Sequence, residues 1–265
     1  MAGTDRRLVV AGVMEDGQVH YPDAGTRAPT AGWSGGVISP ILSNVFLHYV
    51  LDAWFHEEVL PRLGGRAFLI PGTDAKRWSA DDFVIGFERE RDAERVHAVL
   101  EQRLSKYGLE IHPTKTKRVP FERPPSDGVP RAQRPGTFSF LGFTHYWGRS
   151  RHGNWVIKRR TEKSRLARCA TAIDDWCRRN RNLPIQEQHK KLSRKLLGHY
   201  AYYGITGNSI SIARYRDLAT EAWLKWLGRR SRKAKSSWKW FTHLKARYKL
   251  PPARAIHSIY CVANS

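Results

Sequence analysis

A chain of 265 residues, 41% of them hydrophobic, is long enough to bury a sizeable core in one or two domains. Its formal charge of +22 is unevenly spread: residues 1–150 carry 19 Lys+Arg against 18 Asp+Glu, and residues 151–265 carry 27 against 6. No window reaches the roughly 18 consecutive apolar residues of a membrane helix, and three cysteines without metal-ligand spacing offer neither a disulfide framework nor a zinc site. These numbers predict two domains, 1–150 and 151–265, in a soluble, cytoplasmic chain.

The N-terminal "MAGTDRRLVVAGVMEDG" has too short an apolar run for a signal peptide. In "GGVISPILSNVFLHYVLDAWFHEEVLPRL", from Gly35 to Leu63, apolar residues at 42, 45, 46, 50, 51, 54 and 55 predict a long amphipathic helix. "RAFLI" and "DFVIGF" read as two strands of a hairpin, with Asp81 and Asp82 near its turn and facing outward. Adjacent carboxylates repel, so a pair kept ionised near a core calls for a cation beside it. From Glu90 to Tyr107 a second helix is expected, with Ala93, Val96, Val99, Leu100 and Leu104 on one face and Gly108 as its stop.

"LEIHPTKTKRVPF" follows as a strand and turn, "ERPPSDGVPRAQRPG" as a loop, and "TFSFLGFTHYW" as one further alternating strand. Beyond Lys158 the pattern is helical, with helices near 161–180, 185–203, 209–230 and 236–247. In "KLLGHYAYYGITGN", Leu196, Leu197, Tyr200 and Tyr203 are expected to face the core. His199 and Tyr202 fall toward the other side, where a base can stack on Tyr202. The basic run Arg229, Arg230, Arg232, Lys233 and Lys235 suits a phosphate backbone.

A segment at +21 that also carries Trp155, Trp176, Trp223, Trp226, Trp238 and Trp240 suits a nucleic acid. Cations neutralise phosphates and aromatic faces stack on unpaired bases. The plainer reading, a solvated basic surface over an aromatic core, accounts for most of these rings.

Taken together and in this order, "GGVISPILSNVFLHYVLDAWF", "SADDFVIGF", "GLEIHPTKTK" and "FSFLGF" resemble the palm of a reverse transcriptase of the group II intron maturase type. "KLLGHYAYYGITGN", "EAWLKWLGRRS" and "PPARAIHSIY" resemble the thumb, or maturase domain X, of the same family. The resemblance implies an α+β fold: a partial reverse-transcriptase palm followed by an all-helical, basic thumb. It implies Mg²⁺ held by Asp81 and Asp82, with Lys115 near the phosphates of the incoming nucleotide. Gly35 and Gly36 would then lie against template or primer, and Leu141, Gly142 and Phe143 would form a primer-grip hairpin. The implied partners are group II intron RNA and an RNA/DNA primer-template.

The pattern also departs from the family's. The resemblance calls for a third carboxylate on an earlier apolar strand, and Asp5, Asp16 and Asp23 lie in the wrong context for it. An N-terminally truncated palm is therefore expected, with fingers and first aspartate supplied, if at all, by a separate chain. "RAPTAGWS" interrupts the approach to Gly35, and "PGTDAK", residues 71–76, lengthens the chain ahead of the aspartates. Trp78 stands one residue from the family's tyrosine position, which Ser79 occupies, so it can take that place only through a bulge. An RNA-binding protein without catalysis, and a non-functional gene product, stand beside the polymerase reading.

Overall fold

The computed structural model describes residues 8–13, 45–74, 77–112, 114–125, 136–230 and 238–257, with backbone alone for 8–13, 73–74, 77–81 and 238. The chain divides into two compact units. The first is Met1–Leu141 with His145–Ile157, and the second is Gly142–Thr144 with Lys158–Ser265. No described helix is long and apolar enough to cross a membrane.

The first unit is built on a four-stranded antiparallel sheet. Strands β1 (Leu8–Val13), β2 (Ala67–Asp74), β3 (Arg77–Phe87) and β4 (Lys117–Pro120) lie in the order β2-β3-β1-β4. "DFVIGF" alternates, so Phe83, Ile85 and Phe87 share one face and are buried there. They join a core with Val50, Leu51, Trp54, Phe55 and Val59 of helix α1 (residues 45–62) and with Ala93, Val96, Leu100 and Leu104 of helix α2 (Glu90–Ser105). Val84, on the opposite face, packs with Phe121, Phe138, Phe140 and Trp147.

Helix α1 differs from a regular amphipathic helix. Most of it, His48–Ala53 and Phe55–Val59, has π-type hydrogen bonding. That wider turn keeps 50, 51, 54, 55 and 59 on one stripe, while Val45, Phe46 and Tyr49 remain exposed. In α2, Val99 lies outside the buried stripe and is half-exposed, because the 93/96/100/104 spacing already fills the contact. Beyond α2, Leu109 N–H bonds Leu104 C=O at 3.1 Å and Gly108 N–H bonds Ser105 C=O at 3.1 Å, which ends the helix at the expected glycine.

"TFSFLGFTHYW" is two strands rather than one. β5 (Phe138–Phe140) turns at Leu141–Gly142 into β6 (Phe143–Arg149), and β7 (Trp155–Thr161) completes a three-stranded sheet, β5-β6-β7. Both turn residues have positive φ, +50° for Leu141 and +75° for Gly142, as a two-residue hairpin turn matched to strand twist requires. Strand β7 was not legible as such, since "WVIKRRT" mixes charge into both faces.

The second unit is helical, with α3 (Lys163–Arg179), α4 (Ile185–Tyr203), α5 (Ser209–Leu227) and α6 (Trp238–Arg247). Its core comprises Ile173, Cys177, Leu192, Leu196, Tyr200, Ile212, Tyr215, Ala219, Trp223, Leu227 and Leu244. Lys225 Nζ and Trp226 Nε1 both donate to Asp174 Oδ1, at 2.9 and 3.1 Å, which staples α5 to α3. The Lys225 contact, with Trp226 and nearby Arg178, holds that carboxyl below its usual range.

Candidate functional site

The paired aspartates do not lie at the hairpin turn. β2 and β3 turn between Asp74 and Arg77, so Asp81 and Asp82 fall well inside β3, a central strand. Residues 71–74 extend β2 beyond the point where "RAFLI" alone would end it. The ladder pairs Pro71 with Phe83 and resumes with Thr73 opposite Trp78. Four residues, Ser79–Asp82, thus face Gly72 alone: a wide bulge beginning where Pro71 has no N–H to donate.

On its other side β3 is paired regularly with β1, Val13 opposite Asp82 and Gly12 opposite Phe83. That neighbouring strand reads LVVAGV and carries no carboxylate anywhere along its ladder with β3. Two adjacent carboxylates supply hard oxygen donors that suit one Mg²⁺ completed by water and phosphate oxygens. Among the described residues, no group of three or more His, Cys, Asp or Glu side chains is placed to hold a metal.

Lys115 is exposed in the turn Thr114–Lys115, where Thr114 N–H and hydroxyl both meet His112 Nδ1 at 3.3 Å. Gly35 and Gly36 lie outside the described residues. Of the expected primer-grip residues, Leu141 and Gly142 form the hairpin turn and are half-buried, whereas Phe143 is buried. Phe143 packs on Tyr202 and Tyr203, with ring centroids 5.9 and 5.2 Å away.

Residues 27–145 match the reverse transcriptase (RNA-dependent DNA polymerase) family. The matched segment contains Gly35, Gly36, Asp81, Asp82, Lys115 and Leu141–Phe143. Strand β1 lies ahead of it, and the helical unit from Lys158 onward lies beyond it. No curated protein matches the chain.

Outside the matched segment, the helical unit reverses two expectations. Leu197 is half-exposed, whereas His199 is buried with its ring stacked on Tyr215 at 3.8 Å. The core stripe of α4 runs 188/192/196/199/200: Leu196 and Tyr200 face the core as expected, and the stripe widens over His199 rather than Leu197. Tyr202 is half-buried, its ring stacked on Phe143 at an interplanar angle of 19°. Arg230 is also engaged internally: its Nη2 donates to the carbonyls of Asn182 and Leu183, at 3.0 and 2.7 Å. It ties the α3–α4 loop, so it is not a pure backbone-gripping cation. Arg229 is exposed, its guanidinium 5.3 Å from the Trp226 ring centroid. Arg232, Lys233 and Lys235 lie outside the described residues.

Two buried amides that the sequence reading missed organise this unit. Gln188 Nε2 donates to the carbonyls of Arg181 and Leu183, and its Oε1 accepts from Trp223 Nε1 at 2.9 Å. Asn208 Oδ1 accepts from Thr161 N–H, and its Nδ2 donates to Thr161 Oγ1 and to Tyr203 C=O, all at 2.8 Å. The available signal was the position of Asn208 just ahead of "SISIAR", an N-cap pattern. The structure spends that side chain on long-range bonds instead.

Burial lowers the His199 pKa from 6.5 to about 4, and its Nε2 is buried with no hydrogen-bond partner. The folded state holds the ring neutral, so the unfolded chain binds more protons between pH 6.5 and 4. Stability should therefore fall as pH drops through that window, by roughly 3 kcal/mol in all. Urea denaturation from pH 7 to 4 checks this against His199→Phe, which keeps the stacking on Tyr215 and should lack this component. Identical pH slopes for both proteins would refute it.

Proposed function

We propose that the chain is a group II intron-type reverse transcriptase/maturase that grips intron RNA through its basic helical unit. We propose further that it does not polymerise DNA by itself. Support comes from the reverse transcriptase match over 27–145 in one chain with a segment at +21. Neutralising phosphates releases condensed counterions, which gives RNA affinity without sequence readout.

The observation that carries the catalytic half is strand β1. The family's chemistry, as the sequence resemblance implies, needs a third carboxylate beside the aspartate pair, and the strand beside Asp82 is LVVAGV. Asp81 and Asp82 would hold a single Mg²⁺, which when bound neutralises phosphate charge and activates a primer 3′-hydroxyl. Lys115 would place its ammonium against the leaving pyrophosphate. With two carboxylates the second cation has too few protein oxygens, so the transition-state charge is left undercompensated.

Primer extension by the purified chain on an RNA template in Mg²⁺ tests this. No product above background is expected. DNA synthesis that disappears with Asp81→Ala would overturn the catalytic half of the proposal and leave RNA binding to be judged separately.

A further inference from the structure

We infer that the apex of the β6–β7 hairpin, Arg151 with His152 beside it, is an RNA phosphate contact of the first unit, held out by Arg149 stacked on Trp155. The inference rests on the RNA-binding reading above and extends it beyond the helical unit.

The loop between the two strands is short and closed from several sides. Ser150 N–H donates to Asn154 C=O at 2.7 Å, Gly153 N–H to Ser150 C=O at 3.2 Å, and Asn154 N–H to Ser150 Oγ at 3.1 Å. Gly153, at φ +79°, takes the left-handed position that ends a three-residue hairpin loop. Arg149 spans the turn: its Nη1 donates to Gly153 C=O at 2.8 Å, and its guanidinium lies 4.1 Å from the Trp155 ring centroid. Trp155 Nε1 in turn donates to Pro125 C=O at 3.2 Å and Trp147 Nε1 to Phe121 C=O at 3.4 Å, so both strands are pegged to one neighbouring segment. What projects is the apex. Arg151 and His152 are exposed there, and among the described residues no hydrogen bond or ion pair holds either side chain.

Turn apices favour Gly, Pro, Asn, Asp and Ser. This one carries Arg and His, inside a stretch, residues 128–161, with seven Lys+Arg and no Asp or Glu. The surface that complements it is anionic, and in a chain whose residues 151–265 sum to +21 the matching anion is a run of phosphates. A turn fixed in advance loses little freedom on binding, so its one charge contributes more than it would on a mobile loop.

The test is filter binding of a single-stranded RNA to the full chain across a salt series. Arg151→Gln is expected to weaken binding about fourfold at 150 mM salt and to flatten the slope by about 0.7, the share of one phosphate. Arg95→Gln, which removes an exposed cation of α2 in the same unit, should change neither. Trp155→Leu should weaken binding on its own but add nothing in the Arg151→Gln chain, because the indole acts only through the turn. Should Trp155→Leu not fold, Arg149→Lys, which keeps the charge and loses the stacked fork, takes its place in that comparison. Arg151→Gln behaving like Arg95→Gln would overturn the inference and leave the helical unit as the RNA site. Losses that multiply in the double variant would overturn the positioning role of Trp155. A wild-type chain that binds no RNA would overturn the RNA-binding reading itself, and this inference with it.

Discussion

Replacing Asn208 with leucine, close in volume but without polar atoms, is expected to cost about 3–5 kcal/mol of stability, enough to unfold a marginal domain at 37 °C. Asn208 is almost wholly buried, and its three bonds of 2.8 Å join the end of β7 to the α4–α5 turn. Each bond contributes only about 1 kcal/mol net, but the substitution strands its partners. The Thr161 N–H loses the acceptor it has here, whereas the Tyr203 carbonyl keeps the Ile205 N–H at 2.9 Å, and an unpaired buried polar group costs about 1–3 kcal/mol. Urea denaturation of the full chain, followed by the fluorescence of Trp223 in the core of this unit, measures the loss. A change below 1 kcal/mol would mean that water or a rearranged turn takes over these bonds.

The second large effect is on RNA binding. If the helical unit neutralises about six phosphates, the slope of log affinity on log salt is near −4, and affinity falls roughly 300-fold from 50 to 200 mM. Lys190, Lys191 and Arg194 are exposed on α4. Changing all three to glutamine should flatten the slope by about 2 and weaken structured and single-stranded RNAs alike. Filter binding across a salt series with the full chain measures both. An unchanged slope would move the interface off this face of α4.

Much of the fold was legible because helices announce themselves locally. The starts of α3 to α6 fall within two residues of expectation, since three- to four-residue spacing of Leu192, Leu196 and Tyr200, or of Ile212, Ala219 and Trp223, is a short-range signal. What was illegible depended on distant partners. "LVVAGV" is a strand because β3 and β4 pair with it from about 70 and 110 residues away, and nothing in six apolar residues encodes that. The Leu141–Gly142 turn lacks the Asn-Gly or Asp-Gly signature of its class.

The aspartate pair was expected near the hairpin turn and lies inside β3 instead. Asp81 and Asp82 were legible from "SADDFVIGF", but the length of "PGTDAK" decides how far beyond them the hairpin runs, and the bulge decides what they face. Arg230 shows the same limit for charge. Its place in a basic run suggested a solvent-facing cation, whereas its bonds to the 182 and 183 carbonyls are set by a loop some 48 residues earlier.

Whether the proposed RNA binding runs chiefly through the helical unit is decided by ultraviolet crosslinking of a group II intron RNA to the full chain, followed by mapping of the modified peptides. Crosslinks should concentrate between Lys158 and His257 and disappear in high salt. Crosslinks confined to residues 45–125, and indifferent to salt, would contradict it.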